Sequence, residues 1–236
     1  MSQLATEPNV HHDHVHHPML AHHFDDMAQQ KECATLGMWL FLATEVMLFG
    51  GVFVAYIIYR RAHYDGWTEG SDRLNVLLGT LNTVILLTSS FFVVLAVNAA
   101  HHGNSKGIVR WLIATIILGL AFLVVKAFEY RADYNEGLIP WLHWNPEGIE
   151  NPQLNNHTQL FFVFYFTMTL IHALHMTAGA AVLGWVAWMA HKGKFTKEWF
   201  TPVDMTGLYW HFVDVVWVFL FPMLYLVNPL AHKHGH

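Results

Sequence analysis

The chain has 236 residues, of which 54% are hydrophobic and 12% charged, against roughly 25% charged in a soluble domain. A formal net charge of -5 gives no basic field for nucleic acid. The one cysteine, Cys33, excludes an internal disulfide and any multi-cysteine zinc or iron–sulfur site.

Residues 1–35 form a polar, His-rich N-terminal tail containing His11-His12-Asp13-His14-Val15-His16-His17 and His22-His23. Such tracts bind metal weakly, and a solvated tail is the simpler reading. No basic-then-apolar leader opens the chain, so the first apolar run is expected to be an uncleaved span. Five apolar runs follow, at about 36–59, 74–97, 108–130, 160–190 and 205–227. A hydrocarbon core of about 30 Å needs about 20 helical residues. The runs therefore predict an all-α integral membrane protein, a bundle of five transmembrane helices over residues 36–228. A short His-rich tail, 229–236, ends it. At 1.5 Å per residue the fourth run reaches about 46 Å, so it must tilt or project.

The first run holds one acid, Glu45, in Trp39-Leu-Phe-Leu-Ala-Thr-Glu45-Val-Met-Leu-Phe-Gly50-Gly51. A carboxylate in hydrocarbon costs a few kcal/mol, about 2.5–3.5 for Asp on insertion scales, so such residues mark function. Glu45 reads either as a protonatable group on a proton path or as a neutral acid bonded to a neighbouring helix. Gly50 and Gly51 leave a gap beside it where another helix could approach closely. The second run carries no charge, and its Ser90 and Val94 lie four apart. The third has Arg110 at one end, and Lys126, Glu129 and the following Arg131 at the other. That end reads as an ion-pair cluster at the membrane surface, reached by snorkelling.

The fourth run carries His172 and His175, three apart, and small residues Ala180 and Gly184, four apart. The two imidazoles share a face with metal-binding spacing, and His211 could be a third ligand. Two neutral histidines bonded across helices are the plainer alternative. The fifth run reads Trp210-His211-Phe-Val-Asp214-Val-Val-Trp217. His211 and Asp214 share a face, where a carboxylate fixes an imidazole tautomer. Trp210 and Trp217 extend that face into a polar seam expected to pack against a helix or a partner subunit.

Trp39, Tyr59, Trp111, Tyr130, Trp188 and Tyr225 sit at run ends, as in an interfacial aromatic belt. The connections at 60–73 and 98–107 read as short loops. The one at 131–158, with Pro140, Pro146 and Pro152, reads as ordered by turns or by a partner. Lys31, Lys106, Arg110, Lys192, Lys194 and Lys197 fall on one side; Arg60, Arg61, Arg73, Arg131 and Lys233 fall on the other. That near balance does not fix orientation.

Three motifs together resemble one family. Tyr209-Trp-His211-Phe-Val-Asp214-Val-Val-Trp217 resembles the last-helix signature of subunit III of haem–copper cytochrome c oxidase. His172-Ala-Leu-His175 is similar to its His-x-x-His helix. Ala-Thr-Glu45-Val-Met-Leu-Phe-Gly resembles the segment around its carbodiimide-reactive glutamate. Leu81-Asn82-Thr83 with His101-His102, and Phe128-Glu129-Tyr130, extend the resemblance over about residues 36–228. The five spans match the bacterial form, which lacks two helices of the mitochondrial one. The resemblance implies an accessory subunit with no redox cofactor of its own, haem and copper being held by partner subunits. It implies packing against subunit I, support of proton uptake, contact with membrane lipids, and a phospholipid as a candidate ligand. It also implies a bacterial inner-membrane location with the N-terminus cytoplasmic, in a complex open to joining a respiratory supercomplex. Glu45 is then the proton-linked or structural acid, and Asn82, Glu129, His172, His175, Trp210, His211, Asp214 and Trp217 form the helix-packing seam. A quinol oxidase or nitric oxide reductase relative is the alternative home. A stand-alone proton or solute transporter, or a small haem or copper protein, is the reading from another class.

Overall fold

Apolar runs flanked by strong helix starters become helices that outrun the runs themselves. The computed structural model describes residues 24–140 and 142–227; the His-rich tracts at both ends lie outside them. Helix α1 spans Met27–Ala62, α2 Tyr64–Asp72, α3 Val76–His101, α4 Ser105–Asn135, α5 Pro152–His191 and α6 Thr201–Tyr225. Two short strands, β1 (Leu138–Ile139) and β2 (His143–Trp144), pair antiparallel between α4 and α5. All the helices but α2 are long and apolar enough to cross a membrane.

Caps account for the extra length. Asp26 accepts a hydrogen bond from the Gln29 amide at 2.7 Å and starts α1 nine residues before its apolar run. Asn75, Asn104 and Asn151 cap α3, α4 and α5 in the same way, each satisfying an amide that the helix start leaves unpaired. Pro152 and Pro202 sit in first turns, where a missing N–H costs nothing. Gly103 and Gly193, at φ +68° and +67°, end α3 and α5 in the left-handed region that favours glycine. Helix α5, with 40 residues, is about 60 Å long and so projects well past a bilayer core.

The projecting part of α5 packs against α2. The connection at 60–73, expected to be a plain loop, is thus a nine-residue helix lying against α5. Gly66 and Gly70 make this possible: a Cβ on Gly66 would lie 2.3 Å from His157 Cβ, and one on Gly70 2.2 Å from the Phe161 ring. Trp67, fully buried, fills the corner against Tyr56, Phe161 and Phe164.

Helices α3, α4, α5 and α6 form the tight bundle, and α1 touches it mainly along α6. Bulky apolar side chains face outward, Met47 at 76% and Leu77 at 77% exposure, as expected where lipid is the solvent. Gly50, Gly51 and Gly184, expected to admit a neighbouring helix, have nothing within 4 Å of an added Cβ. Close approach falls instead at Gly79, Gly119, Gly179 and Gly207.

Candidate functional site

Three groups of ionisable side chains lie deep in the spans. The first joins α1 to α5. Glu45 sits a turn before the buried Phe49, on the one side of α1 that meets the bundle. Its Oε2 lies 2.9 Å from His175 Nε2. His175 Nδ1 is 2.8 Å from the Ile171 carbonyl, which can only accept, so Nδ1 carries a hydrogen. The 2.9 Å contact then needs one further proton, held by the carboxyl or by Nε2. Either way the pair shares a single proton and carries no net charge. The Phe49 ring packs 5.1 Å from the imidazole, and the Tyr209 hydroxyl donates to the His175 carbonyl at 3.1 Å. The side chains remain 15% and 18% exposed, Glu45 and His175 respectively.

The second group is the seam between α3 and α6. The Trp210 indole donates to Ser89 Oγ at 3.1 Å and the Trp217 indole to Thr83 Oγ1 at 3.1 Å. His211 Nδ1 lies 2.7 Å from Ser90 Oγ. The expected His211–Asp214 pairing is therefore replaced by His211–Ser90, because a serine one helix away reaches the ring first. Ser90 also faces Asp214, but neither carboxyl oxygen reaches a hydrogen-bond partner. Asn82 and His172 are buried with their polar side-chain atoms unpartnered as well. His172 lies against the Trp217 and Phe122 rings, at 5.3 and 5.5 Å. The three histidines weighed as ligands thus diverge: His175 to α1, His172 to the aromatic core, His211 to α3. Among the described residues no three His, Cys, Asp or Glu side chains converge as a metal site.

The third group corrects the surface reading of Lys126 and Glu129. Lys126 is 4% exposed and Glu129 2%. The ammonium donates to Glu129 Oε2 at 3.0 Å, Tyr165 Oη at 3.2 Å and Tyr225 Oη at 2.8 Å. The Tyr225 hydroxyl donates in turn to Glu129 Oε1 at 2.5 Å. Four rings, of Tyr130, Tyr165, Trp217 and Tyr225, lie around the ammonium, Tyr225 meeting it through its hydroxyl. Lys126 points inward because two of its acceptors, Tyr165 and Tyr225, lie on α5 and α6. Tyr225, expected in the interfacial belt, is fully buried, whereas Trp39, Tyr59 and Trp188 are exposed. Asp133, one turn beyond Glu129, is buried too, with one oxygen unpartnered. The spacing 126-129-133 on one helical face is the sequence signal for it; Tyr165 and Ser89 carry none.

Comparison with known proteins agrees across the chain. The family model for cytochrome c oxidase subunit III matches residues 10–135 and 156–228. The cytochrome c oxidase subunit 3 of Corynebacterium diphtheriae is 34% identical over 213 residues, covering 86% of this chain and 96% of that protein. That of Thermostichus vulcanus is 29% identical over 86% of this chain and 92% of its own length. That of Alkalihalophilus pseudofirmus is 32% identical over 82% and 86% respectively.

Proposed function

The chain belongs to the cytochrome c oxidase subunit III family, and from that premise we propose how it serves the oxidase. It is an accessory subunit III of a haem–copper oxidase complex, a multi-pass membrane protein. In the proposed arrangement it docks on the catalytic subunit I, lies in the bacterial inner membrane with its N-terminus cytoplasmic, and leaves haem and copper to its partners. The chain itself does no redox chemistry. The relatives' names favour cytochrome c over quinol as the donor to the complex.

The Glu45–His175 pair carries this reading. A carboxyl and an imidazole share one proton across two helices, within a span, and remain partly open to whatever covers α1. Such a pair relays or stores a proton with little rearrangement. The uncovered Gly50 and Gly51 on the same helix offer a partner helix close approach. The role proposed is to sustain proton uptake into subunit I and to protect it during turnover.

Glu45→Gln is the test. The amide keeps a donor for His175 but cannot release a proton. The expected result is normal assembly, with slower proton uptake or a shorter active lifetime during oxygen reduction. Unchanged uptake and lifetime would remove the proton-linked role. Failure of a haem-bearing subunit to co-purify with the chain would remove the accessory role itself.

A further inference from the structure

Beyond the Glu45–His175 pair, the bundle buries a second set of titratable groups that the proposed function does not use. It lies at the end of the bundle opposite the start of α1, on the last turns of α4. Lys126, Glu129 and Asp133 share one face of that helix and are 4%, 2% and 5% exposed.

Lys126 Nζ has three acceptors within 3.2 Å, which uses all three hydrogens of an ammonium. Glu129 receives Lys126 on one oxygen and the Tyr225 hydroxyl on the other. A carboxyl accepting on both oxygens is the ionised one. Glu129 and Lys126 therefore neutralise each other. Asp133 shares Lys126 with Glu129 and meets the Tyr165 hydroxyl, but one of its oxygens has no hydrogen-bond partner. The groups facing it are Lys126, Glu129, Tyr130 and Glu136 from its own segment, Tyr165 from α5 and Tyr225 from α6. An ionised Asp133 would add a buried, uncompensated negative charge beside Glu129 and near Glu136. Burying such a charge is costly, and binding a proton removes it.

We propose that Asp133 is a proton-binding site, holding one proton per chain next to the neutral Lys126–Glu129 pair. A polar cavity of about 400 Å³, lined by Asn135, Glu136, His143 and Arg73 among others, opens just beyond it in the chain. Asn135 and Glu136 of its lining lie two and three residues beyond Asp133, at the C-terminal end of α4.

Infrared spectra of the complex, isolated from its native membrane through an affinity handle on this chain, test the site. Recorded in H2O and D2O, they read the C=O stretch of protonated carboxylic acids, which moves on deuteration. Asp133→Asn is expected to lose one exchangeable band per chain. Asp133→Glu, which keeps the acid and guards against misfolding, is expected to shift that band, while Glu129→Asp leaves it in place. Lys126→Met is expected to add a second band, since Glu129 then needs a proton too. A wild-type spectrum without such a band, a band that survives Asp133→Asn, or a band that shifts with Glu129→Asp and not with Asp133→Glu would overturn the proposal.

Discussion

The molecule holds the carboxyls of its spans in two different ways at Glu45 and Glu129. At the α1–α5 contact one acid meets one histidine at 2.9 Å, and both stay partly exposed. At the α4–α5–α6 contact an acid meets a lysine and a tyrosine, with a second tyrosine and four rings closing around the cation. The first site has one donor and one shared proton, so its proton is free to change owner. The second saturates both oxygens of Glu129, so its charge is fixed and its strength is structural. The number of donors, rather than depth alone, separates a movable proton from a pinned ion.

The largest break in that comparison should come from Lys126→Met. It removes the cation that Glu129, Tyr165 and Tyr225 face. Removing one partner of a buried pair costs about 3–5 kcal/mol, so the variant should show a clearly lower denaturation temperature and poor recovery from the membrane. Glu45→Gln should leave both nearly unchanged, because its hydrogen bond survives. Equal stability of the two variants would erase the distinction between the sites.

Next in size is the contrast between a closed and an open glycine. Gly66→Ala drives a Cβ to within 2.5 Å of the His157 backbone. Overpacking of this kind costs about 1–3 kcal/mol and should loosen α2 from α5, read as faster proteolysis between α1 and α3. Gly50→Ala meets nothing within 4 Å in this chain and should leave the chain's own stability alone. If α1 is the docking helix, Gly50→Ala should still weaken co-purification of the larger subunit, with Gly66→Ala showing the reverse pattern.

These contrasts also mark what the sequence could say. Hydropathy over 20-residue windows settled the five spans, because each run is long and its few charges are isolated. It placed Glu45, His172, His175, His211 and Asp214 inside them for the same reason. What it could not supply was partners across the bundle. Lys126 and Glu129 looked like a surface pair because they sit near a run end, yet the groups that hold them, Tyr165 and Tyr225, lie 39 and 99 residues further along from Lys126. Asp214 looked like the partner of His211 because it is three residues away, yet Ser90, 121 residues away, took that place. Helix α2 is illegible in the sequence because its polar composition hides the Gly66–Gly70 face that fits α5.

The smallest expected effect serves as the control for Glu45–His175. Asp65 and His157 form the same carboxyl–imidazole contact, at 3.0 Å, between α2 and the projecting part of α5. Here the acid side chain is 58% exposed, so water competes for both groups. Slight burial pushes the Asp65 pKa up, but the hydrogen bond from His157, backbone amides and the His157 charge outweigh it and leave it below the usual carboxylate range. A depressed acid pKa adds stability above the unfolded value, and that gain is lost as pH falls through the folded one. The contribution of Asp65 should therefore be lost as pH falls into the acid range and the carboxyl protonates. An exposed pair of this kind is worth about 0–1 kcal/mol, so Asp65→Asn should change the denaturation temperature little at pH 7 and not at all once the acid is protonated. It should leave oxygen-reduction lifetime untouched. If Asp65→Asn shortened that lifetime as Glu45→Gln does, the chemistry of the pair would matter and its place in the membrane would not.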